Sequence, residues 1–378
     1  MNSRSITKRC LPFLFSLLVL FALELMTRGI VYLFDIQLDI VVIHPNLGQA
    51  ELKKQIYVND RFLLWKMKPD LNGQFVSPIL TPPGLDPPVF QVVTNARGFA
   101  GGDFSDVKED GTLRLVCLGN SSTFGWGVPP DSCYARLLEG ILHERLQEEV
   151  EVINVGTPGY SSLQGLTLYK RQIAQLNPDL VTLSFGANDC FITSRGDAEI
   201  MLERAGMVGA IQEILSHSSL YRVLRYFIVS SRISKDVNTK RSSGRRRVNP
   251  GEFRAAMQDL ISSSEESGTS VILVEIFPIS NRWDPYREAL RDVSHEHGVP
   301  QLDTGELFHD FLTDTEEHTK AEMAHMRATR ERYGENILQN HPDIFLRLDR
   351  VHPSSLGHLL IAGKISDLVL TETEREDG

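Results

Sequence analysis

The chain has 378 residues, 42% of them hydrophobic, which is enough to bury the core of one large α/β domain with additions and excludes global disorder. A formal net charge of −10 argues against a surface that wraps nucleic acid, so no nucleic-acid partner is expected. No Cys/His cluster has metal-ligand spacing, so no metal is expected either.

The N-terminus is distinctive. Arg4, Lys8 and Arg9 precede the uncharged run Leu11–Leu23, and no acidic residue comes before Glu24. A run of that length suits a signal-peptide core of about 7–15 residues. Apolar character resumes at Ile30–Phe34, however, and no small-x-small cleavage site follows. A span of about 20 residues can be assembled if Glu24 and Arg28 pair at i,i+4 near the interface. Residues 1–35 are therefore read as a retained signal anchor, a single transmembrane helix, in preference to a cleaved signal or a buried helix. Either export reading keeps the basic residues inside and puts the bulk of the chain outside the cytoplasm, in the periplasm or at the cell surface of a bacterium. Cys10 precedes the apolar run, while Cys117, Cys133 and Cys190 leave an odd number beyond it, so no disulfide framework can be read.

Residues 36–112 are rich in Pro and Gly and contain the short run Val92-Val93-Thr94, which suggests a small β-rich or irregular module. From residue 113 onward strands and helices alternate. The apolar run Leu113–Leu118 is followed by a helical pattern at Leu137, Leu138, Ile141 and Leu142. Val150–Val155 reads as a second strand and Leu163–Leu176 as a helix. Asp179–Phe185 is a third strand, apolar enough to be buried on both faces. Ser270–Phe277 and the short Val299–Leu302 complete the strands, and Leu356–Val369 lies on a terminal helix. Such alternation predicts a parallel sheet with helices on both faces, over residues 113–372. Two insertions interrupt it. Residues 195–250 hold helical segments and the basic run Lys240–Arg247, expected as an exposed flexible loop; residues 313–340 form a polar helix that serves as a lid or as a surface excursion.

Each strand ends in a polar signal. The first gives Gly119-Asn120-Ser121-Ser122-Thr123, a hydroxyl at the C-terminal edge of the sheet, where open α/β sheets place their ligands. The second gives Asn154-Val155-Gly156-Thr157-Pro158-Gly159-Tyr160, and the third gives Gly186-Ala187-Asn188-Asp189. Before the last helix stands Leu348-Asp349-Arg350-Val351-His352-Pro353. Any one of these is also ordinary turn or cap chemistry. In a parallel sheet all four fall at one edge.

With these four blocks in order, the chain resembles the SGNH (GDSL-type) hydrolase superfamily, whose blocks centre on Ser, Gly, Asn and His. The resemblance covers residues 113–200 and about 345–370. Val93–Phe99 and the N-terminal anchor are similar to the membrane-tethered branch of that superfamily. It implies a three-layer α/β/α sandwich with a mainly parallel, flavodoxin-like sheet. It also implies Ser121 as nucleophile, His352 as general base and Asp349 as the carboxylate orienting it. The oxyanion donors would be the backbone N–H groups of Ser121 and Gly156 and the side-chain amide of Asn188. A serine hydroxyl needs an imidazole to take its proton, and the imidazole needs a partner that fixes its tautomer. That chemistry requires no cofactor. The family usually has Asp where this chain has Asn120, which keeps an acceptor oxygen but loses the charge. Asp189 is expected to be a helix cap or loop brace rather than a catalytic acid. The expected activity is that of a serine esterase or deacylase acting on an acyl ester of a glycan or lipid. An O-acyltransferase modifying an exported polysaccharide and a catalytically silent glycan-binding protein are the alternatives.

Overall fold

The computed structural model describes residues 3–34, 36, 56–76, 89–228, 244–278, 280–313, 319–333 and 351–376. Helix α1 (Ser3–Leu33) stands clear of the core, with Phe13, Leu18 and Phe21 more than half exposed. Its segment Pro12–Leu33, 22 residues with mean hydropathy 2.0, is long and apolar enough to cross a membrane. The expected Glu24–Arg28 pair is present at 3.2 Å.

Two antiparallel hairpins follow: β1 (Tyr57–Asp60) with β2 (Leu64–Met67), and β3 (Asn72–Val76) with β4 (Val89–Val93). Tyr57, Trp65, Phe75 and Phe90 belong to the same buried cluster as the main sheet, and Ala100 bridges to Asn154 at the sheet's edge.

The main sheet has five parallel strands, β5 (Leu113–Gly119), β6 (Val150–Asn154), β7 (Leu180–Ser184), β10 (Ser270–Glu275) and β11 (Gln301–Asp303). Their order is β11-β10-β7-β5-β6. Central β5, β7 and β10 are buried almost throughout, as continuous apolar runs must be when helices cover both faces. Between them lies the minor pair β8 (Ile192–Thr193) with β9 (Arg245–Arg246). The chain order reverses between β5 and β7, and the crevice beyond such a switch point is where this topology binds ligands.

One helix layer contains α3 (Tyr134–Leu146), α10 (Thr304–Thr313), α11 (Lys320–Tyr333) and α12 (Ser355–Glu376), with α12 packed along α3. The other contains α4 (Ser162–Leu168), α8 (Pro250–Glu265) and α9 (Asp284–His297). The helix expected over 163–176 ends as a wide turn at Tyr169–Ile173 and a tight one at Ala174–Leu176, closed by Asn177 at φ 48°. The described residues of the first insertion include the helices α5 (Asp197–Ala205), α6 (Met207–Leu215) and α7 (219–228).

The basic run departs from expectation. Lys240–Ser243 lie outside the described residues, but Arg245 and Arg246 pair with β8 and Arg247 is only 1% exposed. Its charge is buried because Asp197, 4% exposed, meets it at 2.7 Å. Cys117, Cys133 and Cys190 are free and buried.

His358, on α12, is fully buried against the Tyr134 ring and accepts the Tyr134 N–H at Nδ1. Burial, with a smaller push from His352, holds its imidazole well below the usual range, at about 3. An unfolded histidine titrates near 6.5. Between those values the unfolded chain takes up a proton that the fold refuses, so stability is full above about pH 6.5 and drains as pH falls. This group alone should remove about 3 kcal/mol between pH 7 and pH 4. His358→Asn keeps an acceptor but no titration, so its urea midpoint should fall less over that interval than the parent's.

Candidate active site

The Ser121 turn is built by what surrounds Gly119. A Cβ there would lie 2.1 Å from Thr123 Oγ1 and 2.8 Å from Ser184 O, so only glycine lets the chain fold back over the end of β5. Asn120 Oδ1 then accepts the Ser122 N–H at 2.9 Å and caps the single helical turn α2 (Ser121–Phe124). Gly125, at φ 87°, ends it. Ser121 thus heads its own short turn, and the amphipathic helix read from Leu137–Leu142 is the separate α3. Asn120, 1% exposed, is occupied as a cap.

His352 arrives from a distant part of the chain. It precedes Pro353 and the start of α12, whose packing on α3 fixes its place. Its Nε2 lies 2.8 Å from Ser121 Oγ, hydrogen-bond distance for proton transfer. Asp349 lies outside the described residues.

The second loop differs from its expected arrangement. The Gly156 N–H donates to Asn154 Oδ1 at 2.9 Å, so it is already engaged within the loop. A Cβ at Gly156 would meet Phe124 N at 2.5 Å and Thr123 C at 2.8 Å. Its lack of a side chain therefore lets the loop pack behind the Ser121 turn. Asn154 Nδ2 ties the same two pieces together by donating to Thr123 O at 2.9 Å. Three residues on, Gly159 is buried at φ 86°, and its N–H donates to no atom among the described residues. Sequence reading passed over Gly159, although the dipeptide Pro158-Gly159 signals a turn that needs positive φ.

Asn188, 6% exposed, follows β7 and donates one amide hydrogen to Tyr160 O at 3.0 Å, which sets it beside the Gly159 loop. Its amide carries a second donor. Neighbouring Asp189 is a brace, as expected. It accepts from Ser162 N at 3.0 Å, Ser162 Oγ at 2.5 Å and Gly186 N at 3.1 Å, while burial pushes its carboxyl up to about 6.

A buried polar cluster clamps the second loop from below. Arg247 donates to Gly159 O at 2.8 Å, to Gln164 Oε1 at 2.9 Å and to Asp197 Oδ2 at 2.7 Å. Ser161 Oγ reaches the same Asp197 oxygen at 2.7 Å, and Gln164 Nε2 donates to Leu63 O at 2.6 Å. Tyr57 Oη and Trp65 Nε1 donate to Pro158 O, and Tyr160 Oη donates to Trp65 O. The hairpin β1–β2 is therefore the outer wall of this loop. Among the described residues no group of three His, Cys, Asp or Glu side chains gathers as metal ligands would.

The model of the GDSL-like lipase/acylhydrolase family matches residues 117–360. No curated protein matches the chain. Similar solved structures include LAE5, an α/β hydrolase enzyme from the metagenome of Lake Arreo, Spain, 19% identical over 69% of this chain and 95% of that one, TM-score 0.41. The lipase/acylhydrolase from Enterococcus faecalis is 18% identical, over 68% and 94% respectively, TM-score 0.39. Axe2, an acetylxylan esterase from Geobacillus stearothermophilus, is 16% identical, over 66% and 90%, TM-score 0.39.

Proposed function

Because this chain belongs to the GDSL-like lipase/acylhydrolase family, we propose that it is a membrane-tethered serine esterase that cleaves an acyl ester of a glycan or lipid outside the cytoplasm. The observation that carries the mechanism is the 2.8 Å approach of His352 Nε2 to Ser121 Oγ at the C-terminal edge of the parallel sheet.

Ser121 Oγ attacks the acyl carbonyl as its proton passes to His352 Nε2. The oxyanion that forms is met by the Ser121 N–H, the Gly159 N–H and the second amide hydrogen of Asn188. Gly159 takes the place assigned to Gly156 on sequence grounds, because the Gly156 N–H is already used by Asn154. Collapse breaks the ester C–O bond, and His352 returns the proton to the leaving alcohol. Water, deprotonated by the same imidazole, then releases the acid and regenerates Ser121. Asp349, three residues before His352, is the carboxylate that orients the ring.

The anchor is α1, whose 22-residue apolar segment spans about 33 Å at helical rise, against a hydrocarbon core of about 30 Å. A fluorophosphonate probe should label the full-length chain, and Ser121→Ala should abolish labelling. Undiminished labelling of that variant would reject Ser121 as nucleophile. Asn188→Ala should lower kcat by about 10²–10³-fold on a short-chain ester, since it removes a donor that acts mainly in the transition state. A change confined to KM would reject that role.

A further inference from the structure

The insertion between β8 and β9 turns large apolar residues outward. Leu202, Met207, Ile214 and Phe227 are 77%, 80%, 72% and 67% exposed, and Val208, Ile211, Leu224 and Ile228 are at least half exposed. Polar contacts tie the insertion to the β1–β2 turn. Arg61 donates to the carbonyls of Arg204, Ala205 and Gly206 and pairs with Glu213, while Arg204 donates back to Leu64 O. A helix on a water-facing surface buries its apolar stripe, so helices that expose this many large apolar residues face something other than water.

The same insertion grips α1 at its polar residues. Glu24 accepts from Ser218 Oγ at 2.7 Å, Ser219 N at 2.8 Å and Leu220 N at 3.0 Å. Arg28, already paired with Glu24, donates to His217 O at 3.3 Å. The uncharged run Leu11–Leu23 covers only about 20 Å at helical rise, roughly 10 Å short of a bilayer core. The missing thickness falls where Glu24 and Arg28 stand, and charges at that depth persist only when paired and hydrogen-bonded. Residues 217–220 supply those bonds, and the exposed apolar residues lie on the helices either side of them. Tyr221, Arg222, Arg225 and Tyr226 on α7 are of the types that sit at headgroup level.

We propose that residues 202–228 form an interfacial collar that seats its apolar face in the leaflet on the domain's side of the membrane. This rests on the reading of α1 as a membrane anchor. The collar also sets the height of the active site. Asp197, at the root of α5, is part of the cluster that clamps the Gly159 loop, and α5 is about 14 Å long. The esters within reach are those carried at the bilayer surface.

Single cysteines at Leu18, Ile211, Phe227 and Glu144, each in the full-length Cys10→Ser chain, would carry a bimane label in phosphatidylcholine/phosphatidylglycerol vesicles containing doxyl lipid. Retained hydrolysis of a short-chain ester certifies each labelled protein as folded. The collar requires strong quenching at Leu18, Ile211 and Phe227, and little at Glu144. Quenching at Leu18 with Ile211 and Phe227 unquenched overturns the collar alone, including where a second copy of the chain covers that face. An unquenched Leu18 overturns the anchor reading and the collar with it.

Discussion

With Ser121 changed to Ala, kcat/KM for a short-chain ester is expected to fall by about 10⁴-fold or more, with the fold intact. The side chain is small and half-buried, and its backbone helps form a turn whose hydrogen bonds, from Ser122 N to Asn120 Oδ1 and from Trp126 N to Ser121 O, do not involve the hydroxyl. His352→Ala should produce a loss of the same order, and Ser121→Ala/His352→Ala should lose little more than either alone, because the two groups act in one step. Additive losses in the double variant would mean that the 2.8 Å contact is not the proton path. Thermal unfolding of each variant separates a chemical effect from a folding one.

The second large effect lies away from the reacting atoms. Arg247→Met should destabilise the protein by about 3–5 kcal/mol, because it leaves Asp197 ionised, buried and short of its counter-ion. It also frees the Gly159 carbonyl, so the variant's folded fraction should show reduced kcat with the Ser121 probe still reactive. Arg247→Lys should not rescue, since one ammonium does not reproduce a fork that holds Gly159, Gln164 and Asp197 together. Arg247→Met/Asp197→Leu should recover most of the stability, because no buried charge remains. Urea denaturation of the four proteins decides this, and a single Arg247→Met midpoint equal to the parent's would refute it.

The parallel sheet was legible because its signal is local: runs such as Leu180–Ser184 are mostly apolar and buried at every position, and each ends in a residue type suited to a turn. The pairing of Ser121 with His352 was legible through their residue types and order. The proposed oxyanion donor of the second loop was not, because Gly156 and Gly159 are both plausible in sequence. Which N–H stays open depends on the side chain of Asn154 reaching across one turn, a matter of conformation and not of composition. Arg247 was misread for a related reason. A run of basic residues signals solvent exposure unless a carboxylate elsewhere in the fold meets one of them, and Asp197 stands fifty residues earlier. The docking of β1–β2 against Pro158 was equally hidden, since it rests on contacts about a hundred residues apart.

The three unpaired cysteines among the described residues, Cys117, Cys133 and Cys190, give the protein a built-in clock. Burial pushes the Cys117 thiol up to about 12 and the Cys190 thiol up to about 11, and raises that of Cys133. At pH 8 on the order of one Cys117 in 10,000 is a thiolate, and reagents reach it only when the surrounding structure opens. Cys133 touches Asn154, behind the serine turn, and Cys190 lies just past Asn188. Labelling rates at these positions therefore time the opening of each wall of the site separately. A substitution that loosens one wall announces itself in the modification of one sulfur while the other two stay silent.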